Sequence, residues 1–575
     1  MSGLRLEVGD FAARIEQRRR ALLGGDFPAR LAAGDDTLWG ADDRTRSVAR
    51  NRLGWVRSAF AMRERVTELR AFAREVTDRG FRRALLLGMG GSSLAPEVLA
   101  TVFGARAGGL PLGVLDNTSP AAVAAAEEAH DPATTLVLVA SKSGGTIEVS
   151  SFERAFFARA RTALGDRAGS AFVAITDPGT ALEAQARAQG YLKTFSNPAD
   201  IGGRYSVLSC FGLVPAALLG LDPAELCERA IDEHAAFAAS GGDALTIGAA
   251  LGELATAGRG RLTLVMSPEL GPLGAWIEQL VAESTGKDGR GILPVDGERL
   301  GDPGVYDDTR VFVSVSLGDP PAETTRALDA LAAAGHPVLR WRRERREDLG
   351  AEFLRWQLAT AVAGAVIGVN PFDEPNVAEA KAATRAVLER VREHGEGGAP
   401  APRSTDGGLE LHAPLSVAAP GTFVTAWARG LMDLVGHGRY AAVLAFLHRT
   451  DHRHAALERV RHAWRDGTRA PATLGYGPRY LHSTGQLHKG GPAAGVFLQI
   501  TGEEGDVPIP GEWYGFQVLR DAQAAGDFEV LAKHGLPVAR IHIRGDVDAG
   551  LARLANAFEA AARAGDPHAE ARRLR

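Results

Sequence analysis

Two short turns carry the residues best suited to chemistry. Ser141-Lys142-Ser143-Gly144-Gly145-Thr146 offers three hydroxyls and one ammonium, and Gly88-Met89-Gly90-Gly91-Ser92-Ser93 offers backbone with little bulk around it. Each follows an apolar run that reads as a buried strand (84–87 and 135–140), and each precedes a helical pattern. A strand, then a Gly/Ser/Thr turn, then a helix start directs free backbone N–H groups and the positive end of the helix dipole at one spot. With the hydroxyls of Ser141, Ser143 and Thr146 and the ammonium of Lys142 added, that spot suits a phosphate monoester. The glycine pattern of a dinucleotide site and the lysine-bearing loop of a nucleoside triphosphate site are both absent.

Three further stretches carry polar groups in a usable arrangement. Gly202-Gly203-Arg204-Tyr205-Ser206 projects a guanidinium from a tight turn whose glycines allow close approach, which suits an anion or oxyanion. A helix expected over 272–284 bears Glu278, Gln279 and Glu283, and a Thr285-Gly286-Lys287 stop follows it. Gln279 and Glu283, four apart, share one helical face. A carboxylate near a helix C-terminus faces the negative dipole end, which raises its pKa and suits a base that must cycle a proton. His482 and His488 share a Gly-rich segment in which a ring can reach a ligand. His452, His454 and His462 sit among arginines and read as a solvated helical face, and no acid completes a metal triad at usable spacing.

Lysine is scarce. It occurs only at 142, 193, 287, 381, 489 and 533, against 59 arginines among the 65 basic residues. Each retained lysine is therefore a somewhat better candidate for a position that needs a compact ammonium.

The elements that must position these groups follow from length and pattern. A chain of 575 residues exceeds one core. Its 45% hydrophobic and 23% charged content is that of a soluble globular protein, and a net charge of −5 supplies no basic field for nucleic acid. Two cysteines, Cys210 and Cys227, make no disulfide framework, and no run approaches membrane-spanning length, so a cytoplasmic protein is expected with no nucleic-acid and no membrane partner. Residues 1–80 read as a helical N-terminal arm whose default role is packing. Strands and helices alternate over 81–235 and again over 245–395, which predicts parallel sheets covered on both faces, with ligands beyond the carboxyl ends of the strands. Residues 394–410 read as a linker or long surface loop. The segment 411–575 resumes the alternation and completes or duplicates the second domain. Its strands at 496–500 and 538–543 echo those at 311–315 and 337–341, which fits either a partial internal duplication or two unrelated αβ turns. The fold class is thus α/β, with two, or two and a half, doubly wound parallel-sheet domains behind a helical arm.

Taken together, the chain resembles the glucose-6-phosphate isomerase family, of the sugar-isomerase fold. The residues that carry the resemblance are Gly88 to Ser92, Ser141 to Thr146, Gly202 to Ser206, Glu283-Ser284-Thr285-Gly286-Lys287, Asn370-Pro371-Phe372-Asp373-Glu374-Pro375 through Lys381, and Leu481-His482-Ser483-Thr484-Gly485-Gln486. They span roughly 80–390 and 475–500, and the chain looks most like the isomerase half of transaldolase–isomerase fusion proteins, although its arm is far too short to hold a transaldolase barrel. The resemblance implies interconversion of glucose 6-phosphate and fructose 6-phosphate through an enediolate after ring opening. It assigns the phosphate to Ser141, Lys142, Ser143 and Thr146 with Gly91 and Ser92 on the adjacent wall, and the base to Glu283. Arg204 would stabilise the enediolate, His482 with Lys381 would act at the ring oxygen, and Gln279 would orient the substrate. It implies no metal, nicotinamide or flavin cofactor, a small-molecule sugar-phosphate partner, and a homodimer as the oligomer to expect. Alternatives are a sugar-phosphate-binding regulator and an isomerase that also accepts mannose 6-phosphate. The sequence departs from the family twice. The histidine segment follows the Phe372-Asp373 segment, whereas in the family it precedes it, and Glu374 stands where the family has glutamine.

Overall fold

The computed structural model describes residues 3–395, 401–413 and 423–565. Its organising elements are three largely parallel sheets that repeat one strand order. In the first, Leu112–Leu115, Arg83–Gly88, Thr135–Ala140, Phe172–Thr176 and Lys193–Ser196 lie side by side, all parallel. In the second, the order is Leu293–Val295, Arg261–Met266, Arg310–Leu317 and Val338–Arg343. In the third it is Ala472–Tyr476, Tyr440–Phe446, Gly495–Gly502 and Val538–Ile543. Each sheet thus places its second strand outside its first, and the topological switch lies between the first and third strands, where such sheets take ligands. Continuous apolar runs such as Thr-Leu-Val-Leu-Val-Ala at 135–140 are buried along their whole length, as sandwiching by helices on both faces requires.

The second and third sheets also repeat each other bond by bond. Phe312 N donates to Pro337 O at 2.9 Å and Phe497 N to Pro537 O at 2.8 Å, and the preceding turns close through His336 N to Leu331 O and Leu536 N to Leu531 O, both 3.1 Å. Gly335 and Gly535, with φ of +90° and +71°, end the two preceding helices in the same left-handed conformation. Each sheet gains an antiparallel strand on the same edge: Arg5–Glu7 pairs with Val338–Arg343, and Leu409–His412 pairs with Val538–Ile543.

Two expectations need correction here. The N-terminal arm is mostly helical, from Ala12–Gly24 to Val66–Asp78, but it opens with the edge strand Arg5–Glu7. The supposed linker at 394–410 contains half a hairpin, while its residues 396–400 lie outside the described residues, as do 414–422 and 566–575 of the C-terminal segment. Ser404–Asp406 and Leu409–His412 are joined by Gly407-Gly408, both at positive φ, which is the turn that suits two-residue hairpins. Leu409 and Leu411 alternate inward against the third sheet, a period of two that the surrounding glycines and prolines obscure.

The third sheet does not stand apart. On one face, Val443, Trp464, Ile541 and Phe558 form its own core. On the other, Tyr440, Phe446 and Phe497 pack with Tyr480, Leu487 and Ala282 of the helix Gly271–Thr285. Its helix Phe516–Lys533 joins the core of the first sheet, with Phe516 stacked on Phe152 at 5.7 Å. A polar clasp reinforces the joint. The Glu504 carboxylate accepts from His448 N at 3.0 Å, from Arg520 at 2.9 Å and from Ser119 Oγ of the first sheet's region at 2.5 Å, and it also pairs with Arg453. Its side chain and that of Arg520 are 2% and 0% exposed. Breaking a buried pair by removing one partner leaves an uncompensated charge, so Glu504→Ala is expected to cost about 3 kcal/mol. Denaturant unfolding reads this as an earlier midpoint, with Glu504→Gln falling between the variant and the parent.

Candidate functional site

The glycine turn is where three parts of the chain converge. A Cβ on Gly91 would lie 2.0 Å from Gly203 O, so the backbone beside Arg204 abuts the turn directly. Gly90, at φ +54°, faces Gln279 Nε2 and the backbone of His482, which a Cβ would meet at 2.8 and 3.0 Å. Ser92, in the same short 3-10 turn, is buried. The side chains of any other residue pair would hold these parts apart.

Arg204 is 3% exposed and uses each of its donor nitrogens. It reaches Ser284 Oγ at 2.9 Å, Glu283 Oε1 at 3.0 Å, Glu374 Oε2 at 3.2 Å, Pro371 O at 2.8 Å and Asp373 O at 2.9 Å. Glu283 lies in the last turns of Gly271–Thr285, and Gln279 Nε2, on the same face, donates to Glu283 Oε2 at 3.1 Å and to His482 O at 2.7 Å. Burial pushes the Glu283 carboxyl above the usual carboxylate range, Arg204 pulls it back, and the Glu374 carboxylate adds to the rise. Glu374 binds Arg204, with Arg52 at 4.0 Å. Lys287 ties the end of the same helix to Asn370 O and to Asp373 Oδ1, at 2.7 and 2.6 Å. Behind these groups Trp55 of the arm stacks on Tyr205 at 4.9 Å, and Trp39 meets Phe372 edge-on at 4.7 Å.

The hydroxyl turn opens the helix Ile147–Leu164 from the N-cap Thr146. Ser141 Oγ and Thr146 Oγ1 are 3.1 Å apart, and Ser143 and Gly145 are exposed. Lys142 pairs with Asp177 and donates to Ala199 O at 2.9 Å, so its ammonium already has partners at the rim of the turn. Five of the six lysines make ion pairs: the others are Lys193, Lys287, Lys489 and Lys533. Among the described residues Lys381 alone has none. It lines a cleft with Gly145, Glu148, Leu481, His482 and Gln523. His482 and Lys381 thus open on one cleft although a hundred residues of chain separate them.

Glu148 is the group that sequence reasoning missed. His482 donates from Nε2 to Glu148 Oε1 at 3.0 Å, the tautomer that a carboxylate partner requires. Glu148 is 4% exposed; burial would raise its carboxyl, but the His482 ring, the hydrogen bond from it and the Lys381 ammonium together hold it below the usual range. An acid in the first turn of a helix reads as ordinary dipole compensation, which hid it.

The remaining sequence candidates go elsewhere. His488 is buried among Tyr440, Tyr480 and Phe497, and burial pushes its pKa down to about 3. His454 and His462 are half-buried, not solvated. His454 meets Tyr476 Oη at 3.1 Å, and His462 accepts from Arg299 N at 3.2 Å. No cluster of metal-ligand type occurs among the described residues. Glu278 faces a separate cavity of about 360 Å³ with Asp296 and Arg461, where burial, with Asp296 adding to it, raises its pKa to about 8.

Glu374→Gln removes a negative charge that raises the Glu283 pKa. A base works when deprotonated, so the acid limb of a pH–rate profile should move to lower pH in this variant. An unmoved or upward-shifted limb would show that Glu374 does not act on Glu283.

Comparison with known proteins gives a consistent picture. Residues 59–292 match the family model described as phosphoglucose isomerase. The chain is 31% identical over 374 residues to a glucose-6-phosphate isomerase of Rubrobacter xylanophilus, covering 55% of this chain and 85% of that protein. It is 31% identical over 354 residues to one from Parasynechococcus marenigrum, covering 54% of this chain and 63% of that one. Among solved structures, a hypothetical protein of Thermus thermophilus aligns with a TM-score of 0.56 at 25% identity, over 67% of this chain and 99% of that one. No helix among the described residues is long and apolar enough to cross a membrane.

Proposed function

The chain belongs to the glucose-6-phosphate isomerase family, and from that premise we propose how its own residues interconvert glucose 6-phosphate and fructose 6-phosphate. The reading rests chiefly on the Glu283 carboxylate held between Arg204 and Gln279, at 3.0 and 3.1 Å, in a buried setting that raises its pKa. A proton next to a carbonyl is weakly acidic, so the reaction needs one positioned base and a cation where negative charge develops. Glu283 takes the proton from C2 of the open-chain aldose, leaving an enediolate, and returns it to C1 while the hydroxyl proton on O2 passes to O1; the reverse reaction runs from C1 to C2. The Arg204 guanidinium supplies positive charge beside the developing oxyanion, and Gln279 orients the substrate. The substrate phosphate sits at the turn Ser141, Lys142, Ser143 and Thr146, on the N-terminus of Ile147–Leu164, with Gly91 and Ser92 as the neighbouring wall.

Both substrates are mainly cyclic in water, so a second pair of groups must open the ring. His482, its Nε2–H held by Glu148, presents its other nitrogen to the ring oxygen, and the Lys381 ammonium stands on the same cleft. An ionised Glu148 supplies the counter-charge for a ring that carries a proton to that oxygen. The chain needs neither metal nor nicotinamide for this chemistry. A homodimer is part of the proposal, with the oligomeric state in solution as its test.

Run in heavy water from fructose 6-phosphate, the wild-type enzyme is expected to place deuterium at C2 of the glucose 6-phosphate formed. Glu283→Gln should slow turnover and exchange together by roughly 10²–10⁴-fold while substrate still binds. Full exchange in the variant would remove Glu283 from the role of base.

A further inference from the structure

Glu148 Oε1 accepts a second hydrogen bond besides that of His482. Gln523 Nε2 donates to it at 2.8 Å, and Gln523 Oε1 in turn accepts from Thr118 Oγ1 at 2.7 Å. All three side chains are buried: Glu148 is 4% exposed, Gln523 2% and Thr118 0%. Gln523 lies on Phe516–Lys533, the helix that the third sheet's region sends into the core of the first. We propose that Gln523 is a positioning residue for ring opening, locking the Glu148 carboxylate so that it fixes the orientation and charge of His482.

The geometry leaves the amide one orientation. Turned over, Gln523 would set its carbonyl oxygen against an ionised carboxylate and its NH₂ against the threonine hydroxyl, giving up the bond to the charged group. The Thr118 hydroxyl thus holds the amide, the amide holds the carboxylate, and the carboxylate holds the imidazole. The groups that face Glu148 are His482 from the turn at 479–482, Lys381 from Pro375–His394, and Gln523 from its own helix. Gln523 is the neutral donor among them, so it steadies the carboxylate without competing with the ring for a proton. Outer partners of this kind commonly matter nearly as much as the groups they orient. The sequence spacing of 375 residues between Glu148 and Gln523 explains why no local pattern reveals it.

The inference rests on the reading of His482 as the ring-opening group, and the test separates the two. The probes are fructose 6-phosphate and 5-deoxyfructose 6-phosphate, which lacks the hydroxyl that closes the furanose ring and so stays open-chain. Gln523→Met keeps the volume and removes the donor. Its kcat/KM on fructose 6-phosphate is expected to fall roughly 10-fold, the weight of one hydrogen bond to a charged group, with the open-chain substrate unchanged. The acid limb of the profile on fructose 6-phosphate should also move to higher pH, because a carboxylate that loses a donor is protonated more easily. Thr118→Val, which frees the amide without touching Glu148, should shift the substrate ratio in the same direction by less, and it reads the proposal if the first variant fails to fold. Equal losses on both substrates in these variants would mean that Gln523 only joins two parts of the fold, and would overturn the proposal. His482→Ala is measured beside them. If it discriminates between the substrates and the Gln523 variant does not, the positioning role alone falls; if His482→Ala also loses equally on both, the ring-opening reading falls, and this inference with it.

Discussion

A guanidinium sealed from water must have every N–H matched, and Arg204 is sealed. Its partners come from Glu283 and Ser284 on the helix Gly271–Thr285, from the carbonyls at 371 and 373 and from Glu374, so one buried cation fixes the position of Glu283 and of the segment that leads on to Lys381. Desolvating such a charge is expensive, and the surrounding acceptors offset that cost only in good geometry. The close approach of Gly91 to Gly203, the tryptophans packed on Tyr205 and Phe372, and the Lys287 tether all serve that geometry.

The two ends of the candidate pocket are built differently. At Glu283, which we propose as the base, burial raises the carboxyl above its usual range although a cation lies beside it. At His482 the partner carboxylate, Glu148, is held below its usual range by the ring, its hydrogen bond and the Lys381 ammonium. Two carboxylates of similar burial are thus shifted in opposite directions: beside Glu283 the pull of Arg204 is opposed by the Glu374 carboxylate, while Glu148 faces two basic groups, His482 and Lys381.

Local pattern made the apolar central strands of each sheet legible, as well as the glycine and hydroxyl turns and the pairing of Gln279 with Glu283 along one helical face, because each depends on neighbours within a few residues; the short strands Lys193–Ser196, Leu293–Val295 and Ala472–Tyr476 carry too little pattern of their own to be read. Where reading failed, the deciding partner was distant. The strands at 5–7 and 409–412 exist only because a sheet edge waits for them, and the intervening glycines look like linker. His454, His462 and His488 look available on a chain of arginines and glycines, yet packing half-buries the first two and buries the third. Glu148 passed as a helix-start acid, and nothing near Gln523 distinguishes it from any other helical glutamine. Glu374 is a visible departure, but its partner, Arg204, lies 170 residues away in sequence.

The contacts at this site also set an order of assembly. His482 meets Glu148 across 334 residues and Gln523 meets it across 375, while the first strand, Arg5–Glu7, waits for a partner near residue 338. During vectorial synthesis the first sheet can form from its own strands, but the chain must be extended past residue 523 before the cleft closes. Loop-closure entropy for spans of this length must be met before the contacts reward it, which favours slow folding through partly assembled intermediates. A ribosome-bound fragment that already has a folded first sheet still lacks both the imidazole and the amide that partner its buried Glu148 carboxylate.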